Sequence, residues 1–189
     1  LPFTDPGPKT HCIFAGDLLN FGKDEYAKSE VQREGSFILG IAKTLFDRPL
    51  NSAAAIWVYG YTRDRRVFKV TNDTMFNNYK DFENKLKEKM KIVPDVTNPG
   101  KNSRAVSLPK NFIDIGHNAN CIVFLTAVND VNAFENATLK TVFDKEDKKV
   151  AVSLKSVDVS KIVPEGEAVK VSKNYTKDDV NRVVKAILE

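Results

Sequence analysis

Two stretches constrain the fold more than any others. Residues 53–60 (AAAIWVYG) and 120–126 (NCIVFLT) are near-continuous apolar runs, rich in β-branched and aromatic side chains. A strand with one face in water alternates in polarity, and these do not, so both faces are covered. That pattern asks for a mostly parallel sheet lying between helices. Residues 12–15 (CIFA), leading into Gly16-Asp17, read as a third buried strand, and residues 150–154 and 168–171 as shorter ones. Between them, residues 31–46 place Val31, Ile38, Ile41, Ala42 and Leu45 at helical spacing, with Glu34 the one acid in that stripe and Pro49 beyond its end. Residues 79–90 set Tyr79, Phe82, Leu86 and Met90 on one side of a second helix. Ser107-Leu108-Pro109 reads as a helix start with Ser107 as its cap and Leu108, Phe112 and Ile115 as its apolar side. A short helix is expected over 133–143. The last helix opens on Thr176-Lys177-Asp178-Asp179, a capping-box pattern, and carries Val180, Val183, Val184, Ile187 and Leu188.

This order predicts an α/β fold with a doubly wound sheet and right-handed crossovers. Residues 61–65 (YTRDR) are too few to hold a crossover helix, so the strand at 53–60 and residues 66–70 (RVFKV) are expected to form an antiparallel hairpin at a sheet edge. In such sheets the binding crevice lies beyond the carboxyl ends of the strands, where the strand order reverses. Segments 16–22, 101–103 and 127–130 are expected to meet there.

At 189 residues the chain suits one domain: an N-terminal extension over 1–9 and a domain over 10–189. The net charge of +4 is too mild to argue for nucleic acid, and no apolar run approaches the roughly 20 residues of a transmembrane helix. Leu1, in place of Met, ahead of a Pro- and Gly-rich start, is expected of a secreted chain whose signal has been removed; the plainer alternative is a trimmed chain. Sequons at Asn72, Asn136 and Asn174 are candidate glycosylation sites that favour the same reading. Cys12 and Cys121 leave open one disulfide or two core thiols.

The element order, the segment 57–70 (WVYGYTRDRRVFKV), and Asp17 and Thr126 at strand ends together resemble a von Willebrand factor type A domain, the fold also called an integrin I domain. The likeness covers residues 10–189. It implies a six-stranded sheet in the order 3-2-1-4-5-6, parallel except for one antiparallel edge strand, with helices on both faces. The family holds a divalent cation at the rim with Asp-x-Ser-x-Ser, a threonine, and an Asp after the fourth strand; Mg²⁺ wants such hard oxygen ligands in an octahedron. Here Asp17 matches the first Asp, but Leu19 and Phe21 occupy the serine positions and Ala127 the late carboxylate, while Asn102 or Ser103 stands for the threonine. The expectation is therefore no cofactor, with Mg²⁺ or Ca²⁺ held through Asn20 and Asp130 in a shifted loop as the weaker alternative.

Other chemistry is sparse. His11 beside Cys12 and His117 near Cys121 do not make a known zinc spacing. Asp17 and Asp130 are the one candidate acid–base pair, against the plainer reading of loop caps. Arg63-Asp64-Arg65-Arg66 is a basic tip better read as a solvated loop than as a contact. The expected function is a secreted, non-catalytic protein-binding or adhesion module. Its contact residues are Asp17, Leu19, Asn20, Phe21, Asn102, Ser103, Asn129 and Asp130, and its partner is a protein. A metal-dependent A domain with displaced ligands and a doubly wound hydrolase are the alternatives.

Overall fold

The computed structural model describes residues 8–49, 51–64, 67–143 and 147–189. Its centre is a five-stranded, all-parallel sheet. The strands are β1 (Lys9–Leu18), β2 (Asn51–Gly60), β5 (Cys121–Thr126), β6 (Lys148–Ser153) and β7 (Glu167–Lys170), in the order β2-β1-β5-β6-β7. Every residue of β5 and nine of ten in β2 are buried, as their unbroken apolar character requires. Helices α1 (Glu25–Phe46), α2 (Tyr79–Lys89) and α4 (Lys177–Leu188) cover one face, building a core around Phe14, Ile38, Phe82 and Val183. The short helix α3 (Asn102–Ser107) and single helical turns at Leu108–Asn111, Val131–Phe134 and Ser160–Ile162 cover the other, around Trp57, Phe112, Phe124 and Phe134.

The local signals explain the helices. Asp24 caps α1 by accepting from Ala27 N–H at 2.8 Å, so the helix starts six residues before its apolar stripe. In that stripe Gly35 lets α2 come close, with Leu86 and Met90 lying against it. α4 has the expected capping box: Thr176 Oγ1 accepts from Asp179 N–H, and the Asp179 carboxylate accepts from Thr176 N–H at 2.8 Å and Ser172 Oγ at 2.5 Å. Burial pushes the Asp179 carboxyl up, but its bonds to Ser172 and Thr176 and the Arg182 guanidinium outweigh it and hold the group at about 2. Asp179→Asn is expected to cost about 1–2 kcal/mol, read as a fall in urea midpoint at pH 7. The loss should narrow as pH falls from about 4 toward about 2, where the folded wild-type group takes up its proton and its own contribution disappears.

Three expectations are corrected. The sheet has five strands among the described residues, not six, and the antiparallel hairpin partner is absent from it. β3 (Lys69–Val70) pairs in parallel with β4 (Ile113–Asp114) in a separate two-stranded sheet. The cause lies at the end of β2. Gly60, at φ 107°, packs against the backbone of Leu18 and Leu19 so closely that a Cβ would sit 2.5 Å away; the chain turns there, and Tyr61 N–H donates to Leu18 O. Among the described residues the outer edge of β2 is met only by Phe76, through two bonds with Ala54. Arg65 and Arg66, at the tip of the expected hairpin, lie outside the described residues. Second, the helix expected over 133–143 is the single turn Val131–Phe134, closed by Glu135 and Asn136 in the left-handed conformation. Third, Ser107 caps nothing. Its hydroxyl donates to Ser103 O at 2.8 Å from the end of α3, and Ile115 is 56% exposed instead of facing the core.

Candidate functional site

The crevice forms where the order reverses, between the carboxyl ends of β1 and β5, and the three expected segments do meet there. Asp17 is the centre and is wholly buried. Its Oδ1 accepts from the backbone N–H of Leu19 (2.7 Å) and Asn20 (2.9 Å). Its Oδ2 accepts from Asn20 Nδ2 (2.6 Å) and from Ala127 N–H (2.7 Å), so one carboxylate ties the loop after β1 to the loop after β5. Asn20 and Asn102 exchange amide hydrogen bonds at 2.8 and 3.0 Å, which adds α3 to the same rim.

The apolar rim residues divide. Val128 is buried and faces inward, whereas Leu19 and Phe21 are half-exposed and lean on opposite cores, Leu19 on the Trp57 side and Phe21 on the α1 side. Lys155 stands over the Phe21 ring, 5.2 Å from its centroid. Asn129 and Asp130 are exposed. Asp130 accepts from Asn132 N–H at 2.9 Å and caps the turn that follows. Ser103 is half-buried, its hydroxyl 3.5 Å from Glu135. Asp17 and Asp130 thus sit in opposite settings, one buried and fully bonded, the other a solvent-facing cap.

Beneath the rim lies a group whose role sequence reading missed. Glu34 of α1 is fully buried and accepts from Asp17 N–H through Oε1 at 2.7 Å, while Oε2 has no partner among the described residues. Burial, and next the Asp17 charge, hold its carboxyl well above the ordinary range. Burial also raises Asp17, against the pull of its Ala127, Asn20 and Leu19 bonds. The signal for Glu34 was visible as an acid inside an apolar helical stripe.

This donor set does not fit a divalent cation. The Asp17 oxygens already take four N–H donors, and the Asn20 and Asn102 amides satisfy each other. Leu19, Phe21 and Ala127 bring no side-chain oxygen. Among the described residues no group of three or more His, Cys, Asp or Glu side chains stands close enough to hold a metal. At the amino end of the sheet, Cys12 and Cys121 are register partners on adjacent strands and form a disulfide, with Cα atoms 4.3 Å apart. A bridged pair has no thiolate to give, which removes the Cys/His alternative. His11 Nδ1 instead bonds His117 O at 2.9 Å. The sequon residues Asn72, Asn136 and Asn174 are all exposed, and no helix among the described residues is long and apolar enough to cross a membrane. In the basic tip, Arg63 pairs with Asp95 at 2.6 Å and Asp64 with Lys89.

No family model matches this chain, and no curated protein sequence does. Solved structures do. The chain is similar to BatB, a conserved hypothetical protein from Bacteroides thetaiotaomicron, with a TM-score of 0.53 at 11% identity over 94% of this chain and 97% of that one. The two share a fold. Proximal thread matrix protein 1 of the mussel byssus is also similar, with a TM-score of 0.51 at 9% identity. The match takes in 97% of this chain and 46% of that one, so the chain spans less than half its length. An aerotolerance-related membrane protein from Bacteroides fragilis aligns over 93% of this chain and 98% of its own, with a TM-score of 0.49 and 11% identity.

Proposed function

We propose that this chain is a divergent von Willebrand factor type A domain that works outside the cell as a non-catalytic protein-binding module and engages its partner without a bound cation. The observation that carries the reading is the saturated Asp17 carboxylate. Four N–H donors from two loops take the place that a cation and its ligands hold in the family, and they brace the rim in one shape. A fixed rim loses little conformational freedom when a partner docks. Half-exposed Leu19 and Phe21, beside the exposed amide of Asn129, offer apolar contact next to a hydrogen-bonding group, the mixture found in protein interfaces. The disulfide and the exposed sequons at Asn72, Asn136 and Asn174 support an oxidising, extracellular setting.

Two measurements test this. Phe21→Ala and Asn129→Ala are each expected to weaken binding of a partner captured from extracellular extracts by about tenfold, near 1.4 kcal/mol, while Tm stays within a few degrees of wild type. Unchanged affinity would move the contact surface elsewhere. Millimolar Mg²⁺, Mn²⁺ or Ca²⁺ is expected to leave the Tm where a chelator leaves it. A site filled at about 100 times its dissociation constant would add about 2.7 kcal/mol, a rise of several degrees, and that rise would restore the cation-dependent reading.

A further inference from the structure

A recess of about 190 Å³ opens beside the rim, between the start of α1, the end of β6 and the loop before α4. Tyr26, Glu30, Lys155, Ser156, Lys173 and Tyr175 line it. Two of these residues hold a left-handed backbone without being glycine: Ser156 at φ 57° and Tyr175 at φ 50°. For a tyrosine that conformation is costly, and surrounding contacts must enforce it. Phe37 stacks on the Tyr175 ring at 5.2 Å, and the Arg33 guanidinium lies 5.1 Å from its centroid on the way to Lys173 O, which it reaches at 2.6 Å. Tyr26, at 58% exposure, is the most exposed of the large hydrophobic residues described.

Around this recess two ammonium groups and two phenol hydroxyls stand without an acceptor. Neither the Lys155 nor the Lys173 ammonium has an ion pair among the described residues, and neither the Tyr26 nor the Tyr175 hydroxyl has a hydrogen-bond partner there. Burial raises the Tyr175 phenol, so it keeps its proton at neutral pH. The one carboxylate in the lining, Glu30, is already paired with Arg33 at 3.0 Å. Lysines and phenols without acceptors, around a space of side-chain size, suit an anionic group with an apolar stem.

We infer that this recess receives a carboxylate side chain from an acidic segment of the protein partner, with Lys155 and Lys173 on the carboxylate and Tyr26 against its methylenes. The inference rests on the reading of the rim as a protein-binding surface, and Lys155, which also caps Phe21, joins the two. A sulfated polysaccharide suits it less well. Such a polymer needs a continuous basic track, and here Glu25 and Glu30 stand on the same turns of α1 as Tyr26.

The test is a ¹H–¹⁵N NMR titration of the full chain with acetyl-Gly-Glu-Leu-Glu-Gly-amide, its Gln counterpart, and a heparin hexasaccharide. Saturable shifts at Tyr26, Lys155, Ser156, Lys173 and Tyr175 are expected with the Glu peptide and not with the Gln peptide. Lys155→Gln with Lys173→Gln should weaken that response by about tenfold or more. Equal response to the Glu and Gln peptides, tighter binding of heparin, or no response at these residues would each overturn the pocket. Shifts confined to Leu19, Asn20, Phe21 and Asn129 would also overturn it, yet leave the rim reading standing. Shifts in the pocket with a silent rim would support it, and the rim is then judged by the Phe21 and Asn129 variants.

Discussion

Replacing both cysteines, Cys12→Ala with Cys121→Ala, is expected to remove about 4–5 kcal/mol of stability and to lower the Tm by roughly 10–20 °C. The bridge joins residues 109 apart in sequence, so its main effect is on the unfolded chain, whose freedom it cuts by closing a long loop. In the folded state β1 and β5 are already paired in register from the bridge to Ala15 and Phe124, Asn120 N–H donates to His11 O just before it, and the two sulfurs lie in the α1-side core. The alanines therefore leave the ladder in place and vacate only a small volume. The bridge is 0–1% exposed, so the native protein should resist a water-soluble phosphine that reduces it readily in urea. Mass shift on alkylation reads the second expectation and urea melts the first. A loss under about 1 kcal/mol would mean that the unfolded chain keeps this end of the sheet together without the bridge.

The second large effect is on pH dependence, and it centres on Glu34. The groups facing it are Asp17 from β1, Tyr59 from β2 and Tyr175 from the loop before α4, with Glu30 and Arg33 on its own helix. Burial and the Asp17 charge raise its carboxyl, so the folded protein keeps a proton that the unfolded chain releases. The resulting stabilisation is complete below the unfolded value, about 4.3, and is lost as pH rises toward the folded value, at about 1.4 kcal/mol per pH unit. Glu34→Gln keeps the acceptor for Asp17 N–H and removes the titration. It is expected to flatten the slope of stability between pH 5 and pH 8 and to raise the urea midpoint at the upper end. Glu34→Ala should instead cost about 1–3 kcal/mol throughout, because it strands the buried Asp17 N–H. A Gln variant with an unchanged slope would place the titration elsewhere, with Asp17 the first candidate. The contact also joins α1 to the rim, so both variants are worth carrying into the binding assay.

The rim was legible in outline. Carboxyl ends of parallel strands gather their loops by topology, so 16–22, 101–103 and 127–130 were bound to meet once the sheet was parallel, and Asp17 stands at their junction. What Asp17 does there was not legible, because its donors come from the backbone of residue 127 and from an Asn20 that Asn102 holds in place across 82 residues of chain. The hairpin failed for a similar reason. Residues 67–70 have the alternation of a strand, and alternation says nothing about which strand will pair with it; the partner came from Ile113–Asp114. Glu34 was visible as an exception in its stripe, but an exception carries a role only once the buried N–H that it receives is known.

The buried strands, the apolar stripes of α1, α2 and α4 and the capping box at Thr176 could all be read from the residues alone. Those are properties of neighbouring residues, set by periodicity, caps and side-chain chemistry. The tertiary structure alone decided the rest. It decided that the edge strand leaves the sheet, that the two cysteines are bridged, that four N–H groups close around one carboxylate, and that two lysines and two tyrosines border one recess. Each of these is a meeting of segments far apart in the chain, and such meetings follow from how the whole core packs, which no local pattern encodes.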